Sequence, residues 1–210
     1  IHILQGSLPE WTEARGPTDT EPTTEPLQAQ ELDLSSSTTS TYQAKPSPES
    51  VVNLDEMKQL VQEDSDDTIL VEVRSEDRFL GQVDEPRPGL RLGHMPGAQN
   101  LPFVNVLQPD NILQLLPVEK LKPILTEAGL LSTTSSSTTT RIVTSCGSGA
   151  TACVVAAALV QCGRDPSTVA IYDGSWMEWG GREDTPIVTK DGSIEVNRKR
   201  QKSSESGAKQ

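Results

Sequence analysis

The stretch RIVTSCGSGATACVVAAALVQCG, residues 141–163, decides the fold. It opens with β-branched residues, which are typical of a buried strand. A short glycine-rich turn leads directly into an apolar segment, residues 151–162, which we predict to be a helix closed by Gly163. A strand that enters a helix across such a turn is typical of α/β folds, in which the turn lies at the ligand-binding edge of a parallel sheet.

The segments on either side of this stretch repeat the alternation of strands and helices. Asn53 is placed to cap a helix whose apolar positions fall on one face. Strands are predicted at residues 68–73 and 168–172, and a helix at residues 118–128 that ends before Gly129. We therefore expect an α/β fold with a mainly parallel sheet flanked by helices.

The composition limits the class of ligand. The chain has 210 residues and a net charge of −12, which argues against non-specific binding to nucleic acid or to anionic membranes. The longest apolar run, residues 152–160, is too short to span a bilayer. Its three cysteines, Cys146, Cys153 and Cys162, form neither a disulfide framework nor a zinc pattern. We therefore expect no metal, no disulfide and a reducing compartment.

Three segments of low complexity divide the chain. Residues 12–50 are rich in Ser, Thr, Pro and Glu and are predicted to be a disordered linker. Residues 132–140 form a Ser/Thr run that we interpret as a surface loop, and residues 190–210 are predicted to be a disordered tail. One folded domain is therefore expected at residues 51–189.

An internal repeat links the first residues to a segment of this domain. IHILQGSLPEW, residues 1–11, aligns without gaps with VAIYDGSWMEW, residues 169–179, with five identities that include a Trp. So many identities in so short a segment indicate duplication rather than chance. Residues 1–11 are therefore expected to be the end of a preceding, related domain.

The turn after the central strand has the composition of an anion site with a nucleophile. Gly147 and Gly149 allow the backbone to curl so that successive N–H groups point inward, and the following helix adds its dipole. A thiolate at Cys146 would be stabilised there, so we expect a low pKa and a nucleophilic role. Cys153 and Cys162 instead lie in the apolar helix, where a thiol is most often a buried packing group.

The same residues disfavour two other anion-binding loops. A Walker loop ends in Gly-Lys-Ser/Thr, and no Lys occurs in residues 141–162. A cysteine phosphatase of the Cys-x5-Arg type needs a guanidinium for the phosphate, whereas the sixth residue after Cys146 is Ala152. Phosphoryl transfer is therefore not expected.

Three segments together resemble the tandem-rhodanese family of 3-mercaptopyruvate sulfurtransferases. CGSGATAC (146–153) is similar to the family's active-site loop, YDGSWMEW (172–179) to the segment after its next strand, and GHMPGAQNLP (93–102) to the rhodanese Gly-His-x-Pro-Gly-Ala-x-Asn signature. The resemblance covers residues 51–188 and implies the rhodanese fold, a five-stranded mainly parallel sheet flanked by helices. It also implies that this is the second, catalytic half of a tandem enzyme, with residues 1–11 a remnant of the first.

The resemblance implies a reaction that needs no cofactor. The Cys146 thiolate would take sulfur from 3-mercaptopyruvate or thiosulfate, and its persulfide would pass the sulfur to cyanide or to a thiol acceptor such as thioredoxin. Mercaptopyruvate is favoured, because thiosulfate-preferring relatives carry basic residues where Gly147 and Ser148 stand here. A cytoplasmic or mitochondrial location is implied. The alternative is a slow or inactive fragment, lacking the first domain, that acts as a sulfur carrier or regulatory interaction module.

Two arginines are expected to bind the substrate carboxylate. Arg78 and Arg87 lie in RFLGQVDEPR, which is similar to the family's substrate-binding stretch, and guanidinium groups bind carboxylates in bidentate fashion. The alternative for each is an ion pair with Asp84, Glu85 or Glu76 on a solvated loop. The candidate residues are Cys146 and Ser148 for catalysis, and Arg78, Arg87, Gly147, Gly149, Ala150 and Thr151 for substrate binding.

Other residues of the matching segments are expected to be structural. His94 belongs to a structural turn in the family, and Trp176 and Trp179 are interpreted as core or pocket wall. Glu72 stands where the family usually has Asp. Its extra methylene group is expected to disturb a local ion pair.

Overall fold

The computed structural model describes residues 8–14, 18, 47–63, 67–131 and 140–196. The chain divides into two units, residues 1–47 and 48–210. The first contains one described element, helix α1 (Leu8–Glu13). Most of the predicted linker, the Ser/Thr run up to residue 139 and the chain beyond residue 196 lie outside the described residues.

The described residues of the second unit form a central sheet, two small ribbons and five helices. Its strands are β1 (Val51–Val52), β2 (Thr68–Glu72), β3 (Gln99–Asn100), β4 (Leu107–Gln108), β5 (Asn111–Leu115), β6 (Arg141–Ser145), β7 (Val169–Tyr172), β8 (Ile187–Val188) and β9 (Ile194–Glu195). Its helices are α2 (Leu54–Glu63), α3 (Glu76–Phe79), α4 (Val118–Glu127), α5 (Ala152–Gln161) and α6 (Ser175–Trp179). Short 3-10 turns occupy Pro48–Ser50, Phe103–Val106 and Pro166–Thr168.

The central sheet has five strands in the order β1-β7-β6-β2-β3, and every neighbouring pair is parallel. The predicted α/β fold is thereby confirmed. Strands β2 and β6 pair along their whole length, and Glu72 lies opposite Ser145 at their carboxyl ends. The loops that follow these two strands therefore meet at the edge of the sheet where α/β folds bind ligands.

Both faces of the sheet are buried. Since successive residues of a strand point to opposite sides, each central strand contributes to two cores. One face packs in a core that contains Val71, Ile142 and Leu159. The other packs in a second core that contains Leu70, Val143, Met57, Trp176 and Trp179. Strands that are covered on both faces carry apolar side chains at successive positions, as residues 69–71 of β2 and 142–143 of β6 do.

The predicted helix ends agree with the backbone. The Asn53 Oδ1 atom accepts the Glu56 N–H at 3.0 Å and so caps α2. Gly129 and Gly163 follow α4 and α5 with φ of +71° and +98°, the left-handed conformation that favours glycine after a helix. The antiparallel pairing of β8 with β9 continues the folded chain past residue 189, where we expected the domain to end.

His94 and the tryptophans have structural positions. The His94 Nδ1 atom lies 2.8 Å from the Phe79 carbonyl oxygen, and its ring stacks on the Phe79 ring at a centroid distance of 3.8 Å. The main chain of His94 also pairs with Val188. Trp176 and Trp179 are fully buried in the core.

Arg164 binds the residues before and at the end of the Ser/Thr run. Its Nη1 atom donates to the Leu130 carbonyl at 3.3 Å, and its Nη2 atom donates to the Thr140 carbonyl. Its Nε atom donates to the Thr168 hydroxyl at 3.0 Å. The side chain thus joins the end of the α4 region, the start of β6 and the turn before β7.

We expect Arg164→Met to lower the free energy of unfolding by about 1–3 kcal/mol, because largely buried acceptors lose a charged donor. Urea unfolding of the whole chain measures this. Arg182→Met is the matched control, since Arg182 is exposed and pairs with the exposed Asp184, and its effect should be much smaller. Equal losses in the two variants would contradict the role assigned to Arg164.

Candidate active site

Cys146 follows β6 directly and lies at the inner wall of a pocket of about 260 Å³ at the carboxyl edge of the sheet. The residue is only 2% exposed and is one of the residues that line this pocket. The other lining residues are Arg74, Arg78, Glu85, Pro86, Arg87, Leu90, Phe103, Gly147, Ser148, Thr151 and Met177. Buried thiol, guanidinium groups and apolar wall therefore share one cavity.

The loop after β6 is held by helix α6. The Cys146 carbonyl accepts the Trp176 N–H at 3.0 Å, and the Gly147 carbonyl accepts the Met177 N–H at 3.0 Å. Because these carbonyls are bound on the α6 side, the following N–H groups of the loop remain available to the sulfur. The Ser148 N–H donates to the Cys146 Sγ atom at 3.4 Å.

Ser175 fixes the start of the loop, a role that our sequence analysis missed. Its fully buried hydroxyl accepts the Cys146 N–H at 3.1 Å and donates to the Tyr172 carbonyl at 2.8 Å. Its φ of +50° is unusual for a residue other than glycine. The motif match at residues 172–179 contained the signal, but only the three-dimensional pairing assigns the partner.

Hydrogen bonds favour the thiolate of Cys146. Burial acts to raise the pKa of this thiol. The opposing hydrogen bonds come first from the Thr151 hydroxyl and then from the N–H groups of Ser148, Ala152 and Thr151. Together they outweigh burial, so the pKa of Cys146 lies below its ordinary value, as expected for a nucleophile.

The two predicted arginines both line the pocket, in different states. Arg78 is partly buried and its Nη2 atom lies 2.5 Å from the Glu85 Oε2 atom. The ion pair with Glu85 that we gave as the alternative for Arg78 therefore forms, but inside the pocket rather than on a solvated loop. Arg87 is exposed at the pocket and makes no ion pair with any described residue.

Arg74, which follows β2, is a pocket residue that sequence reasoning missed. Its Nη1 atom lies 2.8 Å from the Glu85 Oε1 atom, and its guanidinium also pairs with the fully buried Glu72. The second oxygen of Glu72 accepts the Met95 N–H at 2.8 Å. The ion pair that we expected Glu72 to disturb is thus intact, because the longer side chain still reaches Arg74.

Some of the remaining candidate residues line the pocket, and others do not. Gly147, Ser148 and Thr151 line the pocket, whereas Gly149 and Ala150 do not. Gly149 has a φ of +83°, and a Cβ atom there would lie 2.9 Å from the Asp173 carbonyl oxygen. Its position is thus explained by close packing against the loop before α6.

Cys153 differs from our expectation of a buried packing thiol. It is exposed on α5, and its thiol donates to the Gly149 carbonyl at 3.5 Å. Although Cys153 is exposed, partial desolvation of its sulfur and the nearby Cys146 raise its pKa, and partial burial raises the pKa of Cys162. Neither thiol therefore competes with Cys146 as a nucleophile near neutral pH.

The described part of the chain has neither a cluster of metal-ligating side chains nor a helix that could span a membrane. No group of three or more His, Cys, Asp or Glu side chains there is arranged to hold a metal ion. No helix among the described elements is long and apolar enough to cross a bilayer.

We expect the alkylation of Cys146 by iodoacetamide to follow pH with a midpoint below that of a free thiol, about 8.5. Thr151→Val should move this midpoint upward, because the hydroxyl that stabilises the thiolate is lost. Peptide mass spectrometry at a series of pH values measures both, and Cys162 in the same digest is the internal control. An unchanged Cys146 midpoint in Thr151→Val would contradict the hydrogen-bond assignment.

Comparison with known proteins agrees with this geometry. The sequence profile of the rhodanese-like domain matches residues 53–182. The chain is 37% identical over 153 residues to thiosulfate/3-mercaptopyruvate sulfurtransferase 1, mitochondrial, of Arabidopsis thaliana, which covers 73% of this chain and 37% of that protein. It is 37% identical over 146 residues to 3-mercaptopyruvate sulfurtransferase of Escherichia coli K12, covering 70% of this chain and 47% of that protein.

A solved structure is similar as well. The crystal structure of the Tum1 protein from Saccharomyces cerevisiae matches with a TM-score of 0.52 and 31% identity, covering 62% of this chain and 43% of that one. The chain thus spans less than half the length of these relatives. The family profile, in contrast, matches most of the chain and includes four of the five strands of the central sheet and the Cys146 loop. The protein belongs to the rhodanese-like domain family.

Proposed function

We propose that this protein is a sulfurtransferase that takes sulfur from 3-mercaptopyruvate onto Cys146 and passes it to a thiol or to cyanide. The proposal rests above all on a cysteine of lowered pKa that faces a pocket containing arginine side chains. A nucleophilic sulfur beside fixed cations is suited to an anionic sulfur donor. The names of the relatives from Arabidopsis thaliana and Escherichia coli support the same reaction class.

In the first step, the Cys146 thiolate attacks the sulfur of 3-mercaptopyruvate. An S–S bond forms as the C–S bond breaks, and its electron pair passes to carbon to give the enolate of pyruvate. The proton that the substrate thiol carried ends on this carbon, so the products are pyruvate and a Cys146 persulfide anion. The N–H groups of the loop stabilise the persulfide as they stabilise the thiolate.

In the second step, an acceptor thiolate attacks the outer sulfur, and the Cys146 thiolate leaves. Its low pKa makes it a good leaving group as well as a nucleophile. The Ser148 hydroxyl, at the exposed rim of the pocket, is suited to donate a hydrogen bond to the outer sulfur or to relay a proton. A small thiol protein such as thioredoxin is one acceptor of the required chemistry.

The charges of the pocket favour a singly charged donor. Arg74 is neutralised by Glu72 behind the pocket, and Arg78 is paired with Glu85 within it. Arg87 remains as the lining cation without an ion pair among the described residues. One carboxylate is therefore a closer electrostatic match than the two charges of thiosulfate.

We also propose that residues 1–11 derive from a preceding rhodanese unit. Helix α1 (Leu8–Glu13) occupies nearly the same place in the repeat as α6 (Ser175–Trp179), which supports duplication. A transcript whose sequence upstream of Ile1 encodes no rhodanese-like segment would argue against this origin.

We expect Cys146→Ser to abolish sulfur transfer from 3-mercaptopyruvate to a small thiol, because the sulfur carrier is lost. Pyruvate release and persulfide on the acceptor are measured in the same reaction. Cys153→Ser is the matched control and should retain activity, since Cys153 lies outside the pocket lining. Wild-type turnover no faster than that of Cys146→Ser would instead favour the interaction-module alternative.

We expect Arg78→Gln and Arg87→Gln each to lower kcat/KM for 3-mercaptopyruvate roughly ten- to a hundredfold, since a charged hydrogen bond is worth about 1.5–3 kcal/mol. Alkylation of Cys146 by neutral iodoacetamide should change little in either variant. Arg182→Gln controls for loss of a surface cation. Unaltered kinetics in both pocket variants would rule out these residues as the carboxylate clamp.

A further inference from the structure

Glu85 is a buried carboxylate in the wall of the pocket that joins two arginines. Its side chain is only 2% exposed. One oxygen lies 2.8 Å from the Arg74 Nη1 atom, and the other lies 2.5 Å from the Arg78 Nη2 atom. The Arg78 Nε atom also donates to Glu85, at 3.3 Å. The reaction proposed above assigns no step to this carboxylate.

Arg74 provides a rigid anchor for Glu85. Its side chain is fully buried and pairs with Glu72 on one side. Its Nη2 atom donates to the Gly93 carbonyl at 2.8 Å, and its guanidinium carbon lies 4.1 Å from the centroid of the Trp176 ring. Each of these partners is buried, so the Arg74 guanidinium has a fixed position. The ion pair with Arg74 in turn fixes the position of Glu85.

Arg78 depends on this anchor. It lies in the short helix α3 and its side chain is 25% exposed, so it could adopt many rotamers without a partner. The ion pair with Glu85 selects the one in which a nitrogen lies close to the Cys146 loop, since a Cβ atom on Gly147 would lie 3.2 Å from the Arg78 Nη2 atom. The guanidinium thus stands over the first residue after the nucleophile.

We propose that Glu85 is a positioning and specificity-determining residue of this pocket. It orients Arg78 toward the carboxylate of the donor, and its negative charge lowers the positive potential that the donor meets. A carboxylate among the arginines opposes a dianion twice as strongly as a monoanion, because Coulomb energy is proportional to ligand charge. Glu85 therefore selects singly charged 2-oxo acids, an inference that rests on the proposed function for the identity of the donor.

The test measures how two unreactive anions protect Cys146 of the full chain from iodoacetamide at low ionic strength. Pyruvate represents the monoanionic donor and sulfate the dianionic one. We compare the concentrations of sulfate and of pyruvate that give half protection. In Glu85→Gln the ratio of sulfate to pyruvate should fall by about tenfold, because loss of the Glu85 charge removes one repulsion for each ligand charge in a partly exposed site. Added salt should diminish this change.

Two further variants separate charge from position. Glu119→Gln removes the same charge from an exposed site outside the pocket lining and should leave the ratio unchanged. Glu85→Asp keeps the charge but is too short to bridge both arginines, so it should weaken protection by pyruvate severalfold without changing the ratio. Circular dichroism checks folding, and if Glu85→Gln does not fold, Glu85→Ala replaces it in the measurement of the ratio.

An unchanged ratio in folded Glu85→Gln would overturn the specificity role. Pyruvate protection that is not weakened in Glu85→Asp would overturn the positioning role. If neither anion protects the wild-type protein, the pocket is not an anion site and the proposal fails as a whole. The measurement requires no sulfur transfer. A chain that shows the expected ratios but forms no persulfide would therefore contradict the proposed function and leave the assignment of Glu85 intact.

Discussion

The hydrogen bonds from helix α6 to the loop after β6 are the constraint on which the active site depends. The N–H groups of Trp176 and Met177 bind the carbonyls of Cys146 and Gly147, so both carbonyls are turned away from the sulfur. Helix α6 is in turn fixed by two tryptophans that are fully buried against the sheet. Core packing therefore fixes helix α6, and helix α6 fixes the direction of the loop main chain. The N–H groups of this loop in turn help to lower the pKa of the Cys146 thiol.

The positive charges of the pocket are largely balanced by carboxylates. A chain with a net charge of −12 must attract an anion locally, yet two of the three lining arginines are paired with carboxylates. Such pairs hold the guanidinium groups in place at the expense of net attraction. The site is thus suited to orientation and selection of a small anion, and the sulfur chemistry itself is left to the thiolate and its N–H donors.

The part of the site that could be predicted from sequence is the part that is local in the chain. The strand, turn and helix around Cys146 follow from residue pattern and glycine placement, and so does the Asn53 cap of α2. Arg74 and Ser175 could not be assigned in this way, since both are distant from Cys146 in the chain: Arg74 follows β2 and Ser175 begins α6. Their roles depend on the sheet order, which brings the ends of β2, β6 and β7 side by side.

Cys153 shows a different limit of pattern reasoning. Helix α5 is apolar on nearly all positions, so its sequence does not distinguish an inner from an outer face. Cys153, Ala157 and Val160 nevertheless follow one another at helical spacing on its exposed side. Only the packing of Val155 and Leu159 into the core determines which side faces solvent, and the prediction of a buried thiol was therefore wrong.

Single-turnover mass spectrometry tests the proposed sulfur transfer most directly. The 210-residue chain is mixed with a slight excess of 3-mercaptopyruvate without an acceptor, and intact mass, peptide map and released pyruvate are measured together. We expect one added sulfur per chain, carried by the peptide that contains Cys146, and an equal amount of pyruvate. Sulfur on Cys153 or Cys162, or pyruvate released without a persulfide on Cys146, would contradict the role of the Cys146 loop as the sulfur carrier.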